Sequence, residues 1–410
     1  MAPSSERQPQ RCSTICLPFD QDTYDRVVHD PRAFRRALDQ FFQDMPELFP
    51  QAFAQGYHLK DDRHSRKLGL RLRRIRLKAT GESFAIRPSF VMPYLTGYTD
   101  TVEGPLFLRS FGVPFWALAH VFGRNPMYWF RLELAQGRNS IVGTTARRAP
   151  LPEHLLADEH HQTRDGAKNY IATTVGAGCC LGAELAQTAG FEDLRAAYGV
   201  FKQEAQNVQK GYRPRTVSVD GWAATHQAWR ALFALVVLVR CFLHGWLNIR
   251  SRGKLSAAFA ALSEKVWHAY HAEDRRGFGQ RLRRLREWAA GQGLSVWLQE
   301  QVDKLCGRAR EYGKAYRYPG AHRTSNMLDR VMRLMSRYFE SGQHLHGGEK
   351  AARCHVRAWA LLQNYRPWSP ASSRANGGWR SPAERFNGHR YHKNWLHNLL
   401  VSASLGGYRR

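Results

Sequence analysis

The spacing of apolar positions changes several times along this 410-residue chain, and each change marks an element. From Pro31, Phe34, Leu38 and Phe42 recur every four residues, which is helical spacing. Asp30 is placed to cap that helix and Pro31 to open it, and the helix is expected to run to about Met45. From Arg66 to Lys78 the period falls toward two, with Leu70, Leu72, Ile75 and Leu77 set among basic residues. Thr80-Gly81-Glu82 reads as a turn and Ser83 to Tyr94 as a second strand. Helical spacing returns over 105–136. A helix is expected from Pro114 to Phe122, a turn at Gly123, and a second helix from Asn125 to Leu134. Leu118, Phe122, Trp129 and Leu132 fall at inward positions, with small Ala119 where the helices cross. Residues 137–152, rich in Gly, Ser, Thr, Pro and Arg, read as a linker.

Beyond the linker the pattern predicts three strands in an antiparallel meander: Glu153 to His160, Lys168 to Gly176, and Gly178 to Leu185. Arg164-Asp165-Gly166 forms the first turn. A helix follows from Phe191 to Gln206, then a strand at Thr216 to Val219, a helix from Thr225 to Ala231, and a strand from Leu232 to Val239. Residues 254–312 form an all-helical block, marked by Leu255, Phe259, Leu262 and Val266, by Leu282, Leu285 and Trp288, and by Leu298, Val302 and Leu305. Thr324 to Phe339 is one more helix, with Leu328, Val331, Met335 and Phe339 on one face. The tail from about 366 reads as irregular up to a short helix near Asn394 to Ser402.

The order of three strands, helix, strand, helix, strand, helical block and helix is that of a ribonuclease H-like fold with a helical insertion after its last strand. The expected class is a multidomain α+β protein. Its parts are a basic α+β region (1–100), a helix-turn-helix segment with its linker (101–150), a first part of the core (151–253), the helical insertion (254–318), the last core helix (319–365) and a tail (366–410).

Charge sharpens the picture. Lys plus Arg number 61 against 34 acids, a net charge of +27, so the expected partner is a polyanion, foremost nucleic acid. Arg66 to Lys78 alone carries seven basic residues and no acid. Arg71, Arg73, Arg74 and Arg76 are therefore candidates for DNA phosphate contacts. On the second helix of the helical pair, Arg124, Asn125, Tyr128 and Arg131 are candidates for reading DNA. The first 20 residues lack a signal-peptide pattern. The greasiest segment, Ala231 to Leu247, contains Arg240 and His244 and is short for a membrane span. Seven cysteines without framework spacing fit a reducing cytoplasm, and a nucleoid-associated location is expected. Cys12 and Cys16 form a weak zinc half-site.

The candidate chemistry centres on Asp220, an acid delivered by an apolar strand into a Gly-Trp turn. A carboxylate there is costly unless it is paired or holds a metal. In the expected fold, acids are wanted on the first strand, after the fourth strand and on the final helix; Asp158, Asp220 and Asp329 stand at those places. Glu159 points to the opposite face of its strand, and Asp165 belongs to a turn. Two divalent ions held by such acids activate a nucleophile and stabilise a leaving oxygen in phosphodiester chemistry.

Sixty-two residues separate Asp158 from Asp220 and 109 separate Asp220 from Asp329. Cys241-x-x-His244 follows the second acid, and Thr324-Ser325-Asn326-x-x-Asp329 frames the third. With these features, residues 150–365 resemble the DDE transposases of the Mutator-like superfamily, including bacterial insertion-sequence enzymes. Ser381-Pro382-Ala383-Glu384 is a weaker shared motif. The resemblance implies catalytic and metal-binding roles for Asp158, Asp220 and Asp329, two Mg²⁺ or Mn²⁺ ions, and a structural role for Cys241 and His244. It also implies transposon-end and target DNA as partners, and a homodimer or larger synaptic complex, with no membrane partner. One departure stands out: the family usually has Glu as its third acid, and Glu340 and Glu349 are the alternatives to Asp329. The competing readings are a non-catalytic DNA-binding regulator derived from a transposase and a ribonuclease H-like nuclease that cuts without joining.

Overall fold

The computed structural model describes residues 13–342 and 344–409. Strands β1 (Thr14–Leu17), β2 (Tyr57–Ser65), β3 (Leu70–Leu77) and β4 (Ser83–Pro88) form a mixed sheet in the order β1-β4-β3-β2. Leu70, Leu72, Ile75 and Leu77 are buried, and the three-residue step between Leu72 and Ile75 coincides with a bulge against Leu59–Asp62 of β2. β2 escapes the periodicity because Lys60-Asp61-Asp62-Arg63-His64 is polar on both faces. β4 stops at Pro88, short of the expected Tyr94. Beyond it Pro93 removes a backbone donor and Tyr94 and Leu95 take positive φ, so a strand cannot continue. The helix Pro31–Asp44 starts as expected, with the Asp30 carboxylate accepting from the Arg32 amide at 2.8 Å.

Helices Phe115–Phe122 and Pro126–Gln136 form the expected pair, joined through Gly123 and Arg124, both at positive φ. Leu118, Trp129 and Leu132 are buried, whereas Phe122 stays largely exposed. The segment expected to be a linker is instead core. Residues 141–147 are buried, and Ile141–Thr145 is a short helix capped by Ser140. A side chain at Gly143 would collide with the Gly407 carbonyl, so the glycine serves close packing. Buried Arg147 donates to the Ser402 and Ser404 carbonyls.

The second sheet holds β5 (His154–Arg164), β6 (Ala167–Gly176), β7 (Cys179–Ala186), β8 (Thr216–Val219) and β9 (Val237–Arg240). Its order is β7-β6-β5-β8-β9. β5, β6 and β7 make the antiparallel meander, while β8 and β9 run parallel to β5. Alternation assigns its two faces. Leu155, Ala157, Val217 and Val219 join a core with the helices Phe191–Val208 and Ala223–Leu232. Leu156 and Val175 pack on the other side against Leu328 of the helix Asn326–Ser341.

β9 is shorter than the apolar run that predicts it. Phe233 ends the preceding helix by stacking on Trp229 at 5.6 Å, and Leu235 is 72% exposed, so pairing begins only at Val237. The all-helical block also begins earlier than its expected start. Phe242, Trp246 and Ile249 of the helix Phe242–Gly253 share one core with Leu262, Leu282 and Leu305. The tail is not peripheral: it carries helices Pro370–Ala375, Pro382–Asn387 and Trp395–Ser402. The last is buried along its length, and Leu399 and Leu400 share a core with Ile15 and Ile75. The Ser381-Pro382-Ala383-Glu384 motif caps the middle one, with Ser381 Oγ accepting from the Glu384 amide at 3.3 Å.

Candidate active site

Asp158 is the fifth residue of β5 and shares a side of the sheet with Leu156, two residues before it. Asp220 follows β8 directly and continues the alternation of Ser218, opposite the inward Val217 and Val219. The two strands are hydrogen-bonded neighbours, so their carboxylates meet at one edge of one face. The electrostatics agree: burial, then the charges of Asp220 and Glu159, push Asp158 up to about 7. The Asp158 carboxylate accepts from the Glu159 amide at 2.9 Å, and Asp220 accepts from the Trp222 amide at 2.8 Å. Gly221 is required in that turn. Its φ is +108°, and a side chain there would run into the Arg240 guanidinium.

Glu159 takes the other face, as its position predicts. It accepts from the Tyr198 hydroxyl at 2.6 Å and from Thr225 at 2.8 Å, which anchors it among the helices. Asp165 sits in the hairpin turn at positive φ, as expected.

Asp329 lies in the first turn of Asn326–Ser341, one residue after the Leu328 that packs on Leu156. This helix is docked on the face that carries Asp158 and Asp220. Ser325 donates to the Asp329 carboxylate at 3.0 Å, and the Cys241 thiol donates to Ser325 at 3.3 Å. Glu340 is at the far end of the helix, about 16 Å away by helical rise. Glu349 opens a different helix and pairs with Arg353 at 2.9 Å. Of the three candidates for the third acid, Asp329 is therefore the one whose helix turn packs beside the strand of Asp158.

Cys241 and His244 stand behind these acids. The Cys241 amide bonds the Val219 carbonyl at 2.8 Å, fixing the motif to the strand that delivers Asp220. Burial alone raises the Cys241 thiol, but His244 and Ser325 outweigh it and hold the thiol below its usual range. Contact with Cys241, with a smaller contribution from Asp158 and Asp220, raises His244 to about 9. Cys241 and the acids thus favour the protonated form of His244. Sequence reasoning treats Cys241 and His244 as support but misses Ser325 as the link to Asp329; the Thr324-Ser325-Asn326 motif is the signal that could have found it. It also misses Arg240, which pairs with Glu311 of the helical block at 3.1 Å and ties that block to the turn after Asp220.

Asp158 and Asp220 could hold a divalent ion, since paired carboxylates suit a hard cation and one of them is held near neutrality without it. Among the described residues, no three His, Cys, Asp or Glu side chains are gathered closely enough to cage a metal. The three acids share a face and are not closed into a preformed cage.

The candidate DNA contacts are more engaged than the sequence implies. Arg71 pairs with Asp62 at 3.2 Å and Arg74 with Asp61, both acids coming from β2. Arg73 donates to the Val28 carbonyl and Arg76 to that of Gly81. Only Arg71 and Arg76 are exposed. On the helical pair, Asn125 caps its own helix and Tyr128 reaches the Thr96 carbonyl, leaving Arg124 and Arg131 exposed. Cys16 is buried in β1, and its expected partner Cys12 lies outside the described residues.

No helix among the described residues is long and apolar enough to cross a membrane. The chain matches no protein-family model, and a search of curated proteins finds no relative.

Proposed function

We propose that this protein is a DNA transposase of the Mutator-like DDE type with a ribonuclease H-like core. The observation that carries the reading is the interacting pair Asp158 and Asp220 on one face of a 3-2-1-4-5 sheet, with a third acid, Asp329, on a helix that docks on that face. Asp158 comes from the sheet's central strand, Asp220 from the end of the adjoining strand, and Asp329 from a helix packed across that face.

In this reading Asp158, Asp220 and Asp329 would hold two Mg²⁺ or Mn²⁺ ions, which would supply activation of the attacking oxygen and stabilisation of the leaving one. The chain's own residues prepare the site. Tyr198 and Thr225 hold Glu159 away, so it does not compete with Asp158 for the cation. Ser325, braced by Cys241, fixes the rotamer of Asp329, the shorter acid in the place of the family's Glu. Positive His244 offsets the repulsion between Asp158 and Asp220. Water attacks a phosphodiester at the element end, breaking its P–O3′ bond to leave a 3′-hydroxyl and a 5′-phosphate; that 3′-hydroxyl then attacks a target phosphodiester and displaces the target's own 3′-oxygen. The net charge of +27 favours both DNA partners, with exposed Arg71, Arg76, Arg124 and Arg131 among the residues that meet phosphate.

A strand-transfer assay tests the proposal. Pre-cleaved ends and a plasmid target should give joined products with the wild type and none with Asp220→Ala. Cleavage without joining would leave a nuclease. DNA binding with neither step would leave a regulator.

A further inference from the structure

The first sheet carries a cavity of about 310 Å³ that none of the three acids lines. Its floor is the face of the sheet turned away from Ile75 and Phe84. On that face Arg74 stands opposite Ala85 across β3 and β4, and Arg63 opposite Leu72 across β2 and β3. Arg87 follows Ala85 by two residues and so shares the face. Ala135 of the helix Pro126–Gln136 and Leu400 of the helix Trp395–Ser402 wall the cavity, and Tyr94 and Leu95 form its rim.

The charge of the cavity is one-sided. Three guanidiniums line it, and among the described residues no carboxylate does. Arg74 is answered from outside by the exposed Asp61. Arg87 is not answered: only 8% exposed, it donates to the Val91 carbonyl and forms no ion pair among the described residues. A buried cation without a counter-charge is costly, and an anion in the cavity would offset that cost. The rim adds an aromatic surface. Tyr94 is 65% exposed, yet its ring is held, since Arg138 donates to its hydroxyl at 2.9 Å and lies 5.0 Å from the ring centroid. Tyr94 and Leu95 both take left-handed φ, +60° and +54°, a strained backbone that the surrounding structure must hold in place.

We infer that this cavity binds a single nucleotide unit, with its phosphate among Arg63, Arg74 and Arg87 and its base against Tyr94, Leu95 and Leu400. Guanidiniums neutralise the phosphate while a fixed ring stacks the base, the combination that holds unpaired nucleic acid. The volume is that of a small-molecule site and cannot admit a duplex. The site is thus distinct from duplex-backbone contact through Arg71, Arg76, Arg124 and Arg131, none of which lines it. A free nucleotide and an unpaired nucleotide within a strand share this chemistry.

Isothermal titration calorimetry on the full chain without divalent metal tests this independently of the catalytic reading, since no cleavage is involved. The ligands are deoxyadenosine monophosphate, a four-nucleotide oligodeoxyadenylate and inorganic phosphate. Saturable binding of the mononucleotide and the oligonucleotide supports a site open to free nucleotide; binding of the oligonucleotide alone supports one for an unpaired strand. In either case Tyr94→Ala and Arg87→Met should weaken binding about tenfold. Tyr94→Phe keeps the ring and should bind like the wild type. Tyr94 is exposed, so Tyr94→Ala should keep the wild-type circular dichroism and is the decisive variant. Three results would overturn the inference: no binding of either nucleotide ligand, inorganic phosphate bound as tightly as both, or Tyr94→Ala binding as tightly as the wild type.

Discussion

Asp158 and His244 are both shifted upward, and the sign of each shift matters. Asp158 has a pKa of about 7 in the fold against an ordinary 3.8. Its stabilising contribution is therefore complete below about pH 4 and is lost as pH rises through 7. His244, at about 9 against 6.5, contributes fully below pH 6.5 and loses that contribution through pH 9. Half-buried His160, held down to about 4, works the other way below pH 6.5, so the cost of Asp158 is read against its own variant. Thermal melts of the wild type and Asp158→Asn should draw apart as pH rises through 7, and Mg²⁺ should narrow the gap. Asp158→Asn should melt higher than the wild type at pH 8 without metal and gain less from Mg²⁺. A variant that melts lower there, or responds to Mg²⁺ like the wild type, would contradict the assignment. Ser325 is the other residue to probe. Ser325→Ala removes the donor to Asp329 and should lower strand cleavage by about 10–100-fold. DNA affinity in filter binding should not change. The positions of Asp158 and Asp220 were legible because one strand residue and one turn residue suffice to place them. The Cys241–Ser325–Asp329 chain was not, because it joins residues 84 apart that only the helix dock brings together.

At the scale of elements, alternation and caps predicted most of the second sheet. β8 matches its expected span from Thr216 to Val219, and Asp30 and Asn394 cap the helices expected there. Two kinds of segment defied local reading. β2 is polar on both faces, so no period marks it, and residues 141–147 look like a linker by composition yet are buried. In both, long-range packing overrides the local signal. The helical pair depends on an ion pair hidden from any sequence pattern. Arg109 and Glu133 are both essentially fully buried and meet at 2.9 Å, with Tyr338 and His355 on the same carboxylate. Removing one charge leaves the other unpaired. Glu133→Gln should therefore cost about 3–5 kcal/mol in urea unfolding. A loss below about 1 kcal/mol would mean that the network relaxes around the change.

Across the whole molecule, the first and last parts of the chain build one core, since Ile15, Leu38 and Ile75 cluster with Trp359, Leu396 and Leu400. The sequence divides these regions at 100 and 366 because composition changes there, whereas the packing joins them. The net charge of +27 bears on partners more than on fold. On duplex DNA the binding constant should fall with salt at a log–log slope of about −0.9 per phosphate contacted. Titrations at several salt concentrations would check this, and a flat response would remove the charge argument for DNA. The proposed chemistry needs Asp158, Asp220 and Asp329 to act together on a phosphodiester. Its most direct measurement is Mg²⁺-dependent cleavage of DNA taken from the two flanks of the coding sequence, comparing the wild type with Asp220→Ala. The wild type should make cuts that leave 3′-hydroxyl ends, and the variant should make none. Equal cleavage by both proteins would contradict that chemistry.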